Sequence, residues 1–341
     1  MKSLLSWLVL IVSIAVLVSS CAKSDDSKTA STDNTTSSSD DSSDNSSSSS
    51  SSGSGVFVAF GHSGNIIRST DNGVSFDNAT SPTVTNLHGV TFGNNTFVGV
   101  AQSEIILRST DNGSSFDNVT APTGSPLYAL GFGNNTFVVV GWLGTIVRST
   151  DNGSSFDNVT SPTGRLLFGV TFGNNTFVAV GESGNILRST DNGSSFDNAT
   201  SPTVIHLNGV TFGNNTFVGV GYSGNIVRST DNGSSWDNAT SPTADRLNAV
   251  TFGNNTFVAV SNSGNIVRST DNGSSWDNAT SPTAYGLYGV TFGNDTFFAV
   301  GGFMTPFDQG GVIVRSTDNG TNWDNVTNHP GIAYQAITSG Y

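Results

Sequence analysis

The chain has 341 residues, with 12 Lys+Arg against 25 Asp+Glu and a formal net charge of −13. Charged residues make up only 11% of it, and Lys appears just at positions 2, 23 and 28, so no basic face is available to neutralise nucleic-acid phosphates. One Cys and four scattered His exclude a disulfide framework and a zinc motif, so no metal or other cofactor is expected.

The N-terminus reads as an address. Lys2 precedes an apolar run over residues 4–18, short for a membrane span, and Val18-Ser19-Ser20-Cys21 follows. That ending resembles the lipobox of bacterial lipoproteins. The resemblance implies removal of a signal peptide at residues 1–20 and lipidation of Cys21, which becomes the mature N-terminus. Ala22 in place of Asp then implies the outer membrane or cell surface, with the periplasm as the alternative location in a bacterial envelope. Residues 22–55 are almost all Ser, Asp, Thr, Asn and Gly, with nothing to drive burial. Residues 21–55 are therefore expected to be a lipidated, disordered tether, with an r.m.s. span of roughly 30–35 Å.

From residue 56 the chain is a repeat. Arg68, Arg108, Arg148, Arg188, Arg228 and Arg268 are spaced by 40 residues, and Arg315 follows after 47. Such a period marks a solenoid, propeller or array. No segment has helical apolar spacing. Each unit instead holds four short β-rich runs, such as 87–92, 96–100, 105–109 and 115–120, bounded by Gly-Asn-Asn, Asp-Asn-Gly and Ser-Pro-Thr turns. Four strands per 40 residues is the spacing of a propeller blade. The third residue of the first strand is always small (Gly89, Ala129, Gly169, Gly209, Ala249, Gly289, Ala336), as the crowded axis requires. Phe92, Phe97 and Phe116 and their copies are assigned to the space between blades. The repeat starts in a second strand at Phe57 and ends in a first strand at 334–339. Residues 56–341 are thus predicted to form an all-β, seven-bladed propeller of four-stranded blades, closed by the C-terminal strand joining the N-terminal blade.

The phrase Ser69-Thr70-Asp71-Asn72-Gly73-Val74-Ser75-Phe76 returns from Ser109, Ser149, Ser189, Ser229, Ser269 and Ser316. It resembles the Asp box, or BNR repeat, of sialidases, xyloglucan hydrolases, sortilin-type receptors and photosystem II assembly factors. The blade count and the phrase Gly-Asn-Asn-Thr-Phe-Val-Ala-Val-Gly look most like the assembly-factor-like bacterial proteins. The resemblance implies a structural role for Asp71, Asp111, Asp151, Asp191, Asp231, Asp271 and Asp318. Their hairpin position agrees, since an Asp carboxylate there accepts backbone N–H bonds. Calcium binding remains an alternative reading. The Arg68-type residues are read as structural too, paired with Asp77-type carboxylates. The repeated Asn-x-Ser/Thr triplets are read as turn residues rather than glycan acceptors.

Catalysis is not expected, and no catalytic residue is assigned. Sialidases resembling this family need an arginine triad, and here only Arg165 and Arg246 stand outside the repeated arginine of the propeller. Xyloglucan hydrolases use a cleft between two propellers. Glu104, Glu182, Asp245 and Asp308 are the carboxylates available for glycoside hydrolysis.

The repeats differ from one another in three places. The loop between strands two and three presents His62, Gln102, Trp142, Glu182, Tyr222 or Asn262. The loop into the next blade varies at residues such as Arg165, His206, Asp245, Arg246 and Tyr285. The second residue of the first strand reads His88, Tyr128, Phe168, Asn208, Asn248 or Tyr288. Because strands alternate in direction, all three belong to one face, together with the insertion bearing Phe303, Met304 and Phe307. Two readings remain open for this variation: recognition by a built surface, or drift in unconstrained loops. The aromatic choices favour recognition. The expected binding face is His62, Trp142, Arg165, Glu182, His206, Tyr222, Asp245, Arg246, Tyr285, Phe303 and Phe307. The expected function is that of a monomeric, membrane-anchored scaffold recognising a protein partner of the envelope. The alternative is a glycan-binding or sialidase-like glycan-hydrolysing propeller.

Overall fold

The computed structural model describes residues 55–304, 309–330 and 333–340. Cys21, the expected signal peptide, the expected tether up to residue 54, Phe307 and Asp308 lie outside the described residues.

Seven four-stranded antiparallel sheets form the seven blades. Blade two is typical: Leu87–Gly93 is innermost, followed outward by Thr96–Ala101, Ile105–Ser109 and Asp117–Thr120. In blade one the innermost strand is the C-terminal Tyr334–Gly340, paired antiparallel with Val56–Gly61. The predicted closure is therefore present. Each inner strand packs beside the next around the axis, and Tyr334–Gly340 fits between Leu287–Gly293 and Leu87–Gly93.

The turns explain why each unit folds back on itself. Asn94 and Asn95 both have positive φ (48° and 56°), the left-handed pair that a tight hairpin needs and Asn tolerates. The Asp-box turn places Asn112 and Gly113 in the same region. At the third residue of the inner strand, a Cβ on Gly169 would lie 3.1 Å from the Asn208 carbonyl of the neighbouring blade, so only a small residue fits.

The core consists of seven apolar clusters, one between each pair of adjacent blades. Between blades one and two, Val58, Phe60 and Ile66 meet Leu87, Val90, Phe97 and Phe116. The seam cluster joins Phe57, Ala59 and Ile67 to Phe298, Val300 and Ile313 of blade seven, with Tyr334 and Ile337 of the closing strand. Phe97 is fully buried, so truncating it to Ala costs roughly 3–5 kcal/mol. Phe92 also packs against this cluster between the blades, as the sequence predicts. It ends the inner strand beside the axis and is only partly buried. A Cβ on Gly93 would meet the ring of Phe132, the corresponding residue of the next blade, so each such ring covers its neighbour's glycine.

Candidate functional site

Hydrogen bonds between loops assign the two faces. On one, Asn152 of an Asp box donates to Thr96 Oγ1 beside the Gly-Asn-Asn turn of the preceding blade, at 2.6 Å. On the other, the loop between strands two and three bonds to the loop that enters the same blade. Trp142 N–H donates to the Pro126 carbonyl, Glu182 N–H to Leu166 and Tyr222 N–H to His206. The variable residues thus share a face opposite the Asp boxes.

The Asp-box face is built from saturated groups. Asp151 Oδ1 accepts from Ser149 Oγ at 2.8 Å and Ser155 N–H at 3.0 Å, and Oδ2 accepts from Ser155 Oγ at 2.6 Å. The Ser155 hydroxyl, against an opposing desolvation, leads the hydrogen bonds that hold the carboxyl at about 2. The same pattern recurs at Asp71, Asp111, Asp191, Asp231 and Asp271, and at Asp318 with the Asn322 amide in place of the second serine hydroxyl. A calcium ion would have to displace these bonds, and no cluster of three metal-ligating side chains occurs among the described residues. The expected pairing of Arg68 with Asp77 is corrected. These two residues are opposite in the sheet, but Arg68 Nε donates to the Asn112 carbonyl of the next blade at 2.6 Å. Arg148 repeats this with Asn192 at 2.7 Å.

On the variable face, short one-turn helices at His62–Gly64, Trp142–Gly144, Glu182–Gly184 and Tyr222–Gly224 begin on the variable residue, exposed at Trp142 and half-buried at the other three. Their geometry needs the terminal glycine: Gly64 has φ +73°, and a Cβ there would sit 1.9 Å from the Thr83 carbonyl.

Nearer the axis, the pairing register skips one residue at the start of every inner strand, between Leu87 and Gly89 in blade two and at the same place elsewhere. The skipped residues are His88, Tyr128, Phe168, Asn208, Asn248 and Tyr288, and Gln335 in the closing strand. A bulge re-aims its side chain. Here the polar ones reach the next blade: His88 Nδ1 contacts the Leu127 carbonyl at 3.0 Å, and Asn208 and Asn248 donate to Leu247 and Leu287 at 2.7 Å. The aromatic ones continue from ring to ring. Centroids are 5.8 Å apart for His88–Tyr128, 6.0 Å for Tyr128–Phe168 and 6.3 Å for Phe168–His206. His206 meets Tyr222 edge-on at 5.3 Å, and the Arg246 guanidinium lies 4.5 Å over the Tyr222 ring. The sequence shows these positions as variable but carries no signal that they are bulged.

The structure therefore brings His206, Tyr222 and Arg246 into one arc. Burial lowers the pKa of Arg246, opposed by Tyr222 and Tyr288, and burial raises Tyr128 to about 12. Ser183 N–H donates to His206 Nδ1 at 2.8 Å, which puts that ring's proton on Nε2. His62, its pKa lowered by burial, contacts Gln335 at 2.7 Å. The carboxylates are engaged locally. Glu182 accepts from Leu166 N–H at 3.3 Å, and Asp245 from Asn265 Nδ2 at 2.6 Å. Arg165 is exposed. Farther round the ring, Tyr285 packs on Phe303 with centroids 4.5 Å apart. Trp142 remains 39% and Tyr285 48% exposed.

Comparison with known proteins bears out the expected resemblance. No curated protein matches the chain. Among solved structures, a YCF48 bound to a D1 peptide superposes with a TM-score of 0.58 at 17% identity, covering 71% of this chain and 84% of that one. YCF48 from Cyanidioschyzon merolae gives 0.57 at 15%, covering 73% and 93%. A structure of the nidogen/laminin complex gives 0.53 at 14%, covering 69% and 97%, a likeness of fold alone. The profile of the family described as photosynthesis system II assembly factor YCF48 matches residues 94–337, most of the propeller. The chain belongs to that family.

Proposed function

We propose that this protein is a non-catalytic, lipid-anchored scaffold of the bacterial cell envelope that binds a protein partner through its variable face. One observation carries the reading. Of the seven exposed large apolar side chains among the described residues, Val84, Trp142, Leu143, Val204, Ile205 and Tyr285 belong to the variable face, and only Val74 to the other. Exposed apolar surface rimmed by polar groups is what a protein interface buries, with Trp, Tyr and Arg its usual anchors. The D1 peptide bound to a YCF48 supports a protein rather than a glycan as the ligand class.

The anchor is proposed at Cys21, with the propeller acting as a monomer at the outer membrane or cell surface. Gly55, where the described chain begins, donates its N–H to Asn72 Oδ1 at 2.8 Å in the first Asp box. The tether would leave from the constant face, turning the variable face toward the partner. Cys21→Ser should abolish radiolabelled palmitate incorporation, and unchanged incorporation would contradict the anchor. Cross-linking of the full chain in its native envelope should yield a protein adduct that disappears when Trp142, Tyr222 and Tyr285 are replaced by Ala. A glycan adduct in its place would move the assignment to the lectin or hydrolase reading.

A further inference from the structure

Seven Asn-Gly pairs occupy the same Asp-box turn, at Asn72, Asn112, Asn152, Asn192, Asn232, Asn272 and Asn319. The pair has its own chemistry, because a glycine N–H meets no Cβ obstacle when it attacks the preceding side-chain amide. The fold guards these pairs unequally. Asn152, Asn192, Asn232, Asn272 and Asn319 each donate Nδ2 to a threonine hydroxyl of the preceding blade at 2.6–2.7 Å. Asn72 instead accepts from Gly55 N–H at 2.8 Å and from Asn294 Nδ2.

Asn112 has neither arrangement. The residue at the threonine position of its preceding blade is Val56, which offers no hydroxyl. Asn112 is also exposed, whereas its six counterparts are half-buried. The bond from the glycine N–H to the box serine does not distinguish them: it is 3.0 Å for Gly113 and 2.9 Å for Gly153.

We propose that Asn112 is a site of spontaneous deamidation, the one Asp-box amide that the ring leaves open to reaction. The Gly113 nitrogen loses its proton and bonds to Asn112 Cγ, and the side-chain nitrogen leaves as ammonia. Water then opens the cyclic imide. Attack at the side-chain carbonyl gives aspartate, and attack at the main-chain carbonyl gives isoaspartate. Either product adds a carboxylate beside Asp111. Isoaspartate also adds a backbone methylene and displaces the carbonyl that Arg68 Nε holds at 2.6 Å, loosening blade one from blade two.

The test is to age the purified full chain at mildly alkaline pH and digest it after arginine. Each Asp box then falls in its own peptide, 109–148 for Asn112 and 149–165 for Asn152, and fragmentation places the converted residue. Conversion at Asn112 should run roughly three- to tenfold ahead of Asn152, the factor that one hydrogen bond is worth. Val56→Thr supplies the missing hydroxyl and should slow Asn112 to the rate of the others. Thr96→Val removes one and should raise Asn152 to the rate of Asn112. Equal rates at the two sites, or a folded Val56→Thr chain that converts as fast as wild type, would overturn the proposal.

Discussion

Asn152 of blade three donates its side-chain amide to the Thr96 hydroxyl of blade two at 2.6 Å. Its own carbonyl accepts Arg108 Nε of blade two at 2.9 Å. The Asp box thus does two jobs. Its aspartate closes the hairpin, and the asparagine beside it, held at φ +63°, fastens the blade to its neighbour. Thr216→Val removes one such latch, from Asn272, and leaves its amide only the long 3.5 Å contact with the Asn214 carbonyl. It should cost about 1–2 kcal/mol, read as a lower denaturant midpoint with an unchanged slope. An unchanged midpoint would show the latch to be ornamental.

The same turns set the acid limit of the fold. Their carboxyls are held at about 2 in blades one, three, four, five, six and seven, against an ordinary value of 3.8. A group whose pKa is depressed by folding stabilises above its unfolded value and loses that contribution as pH falls through the folded value. The propeller should therefore lose melting temperature progressively below about pH 4 and most steeply toward pH 2. Circular-dichroism melts against pH check this, and a collapse centred near pH 5 would contradict it.

The closing strand is the third test. Tyr334 and Ile337 belong to the seam cluster, and Tyr334–Gly340 supplies the innermost strand of blade one. Deleting residues 331–341 exposes the edge of Val56–Gly61 and should abolish the cooperative melt. A truncated chain that melts like the full one would refute the closure.

The 40-residue period made the architecture legible, because seven copies of one phrase leave little choice of fold. Even the mismatch between the ends of the repeat foretold the closure. Arg68 shows where such reading stops. Asp77 lies opposite it in the sheet, yet the side chain crosses to the next blade, whose position no local pattern encodes. The bulges were equally hidden. His88 and its counterparts announced themselves by varying, but a one-residue skip in register leaves no mark in composition, and it is the skip that links them around the axis. Trp142, Tyr222 and Tyr285 were legible because they break an otherwise small and polar pattern.

Those three residues also separate recognition from packing. Trp142 and Tyr285 are exposed, and Tyr222 is partly so. Replacing all three with Ala should cost at most about 1–2 kcal/mol, chiefly from the stack of Tyr222 with Arg246 and His206. Calorimetry should find a single transition lowered by a few degrees. Loss of that transition would assign the residues to the core.

We propose that the variable face, and not the Asp-box face, meets the partner. The most direct measurement cross-links the full chain in its native envelope in three forms: wild type, the Trp142/Tyr222/Tyr285 triple Ala variant, and a Val74→Asp variant on the opposite face. The expected result is a protein adduct of the wild type and the Val74 variant that is lost from the triple variant. An adduct that survives the triple change and disappears with Val74→Asp would place the binding surface on the Asp-box face.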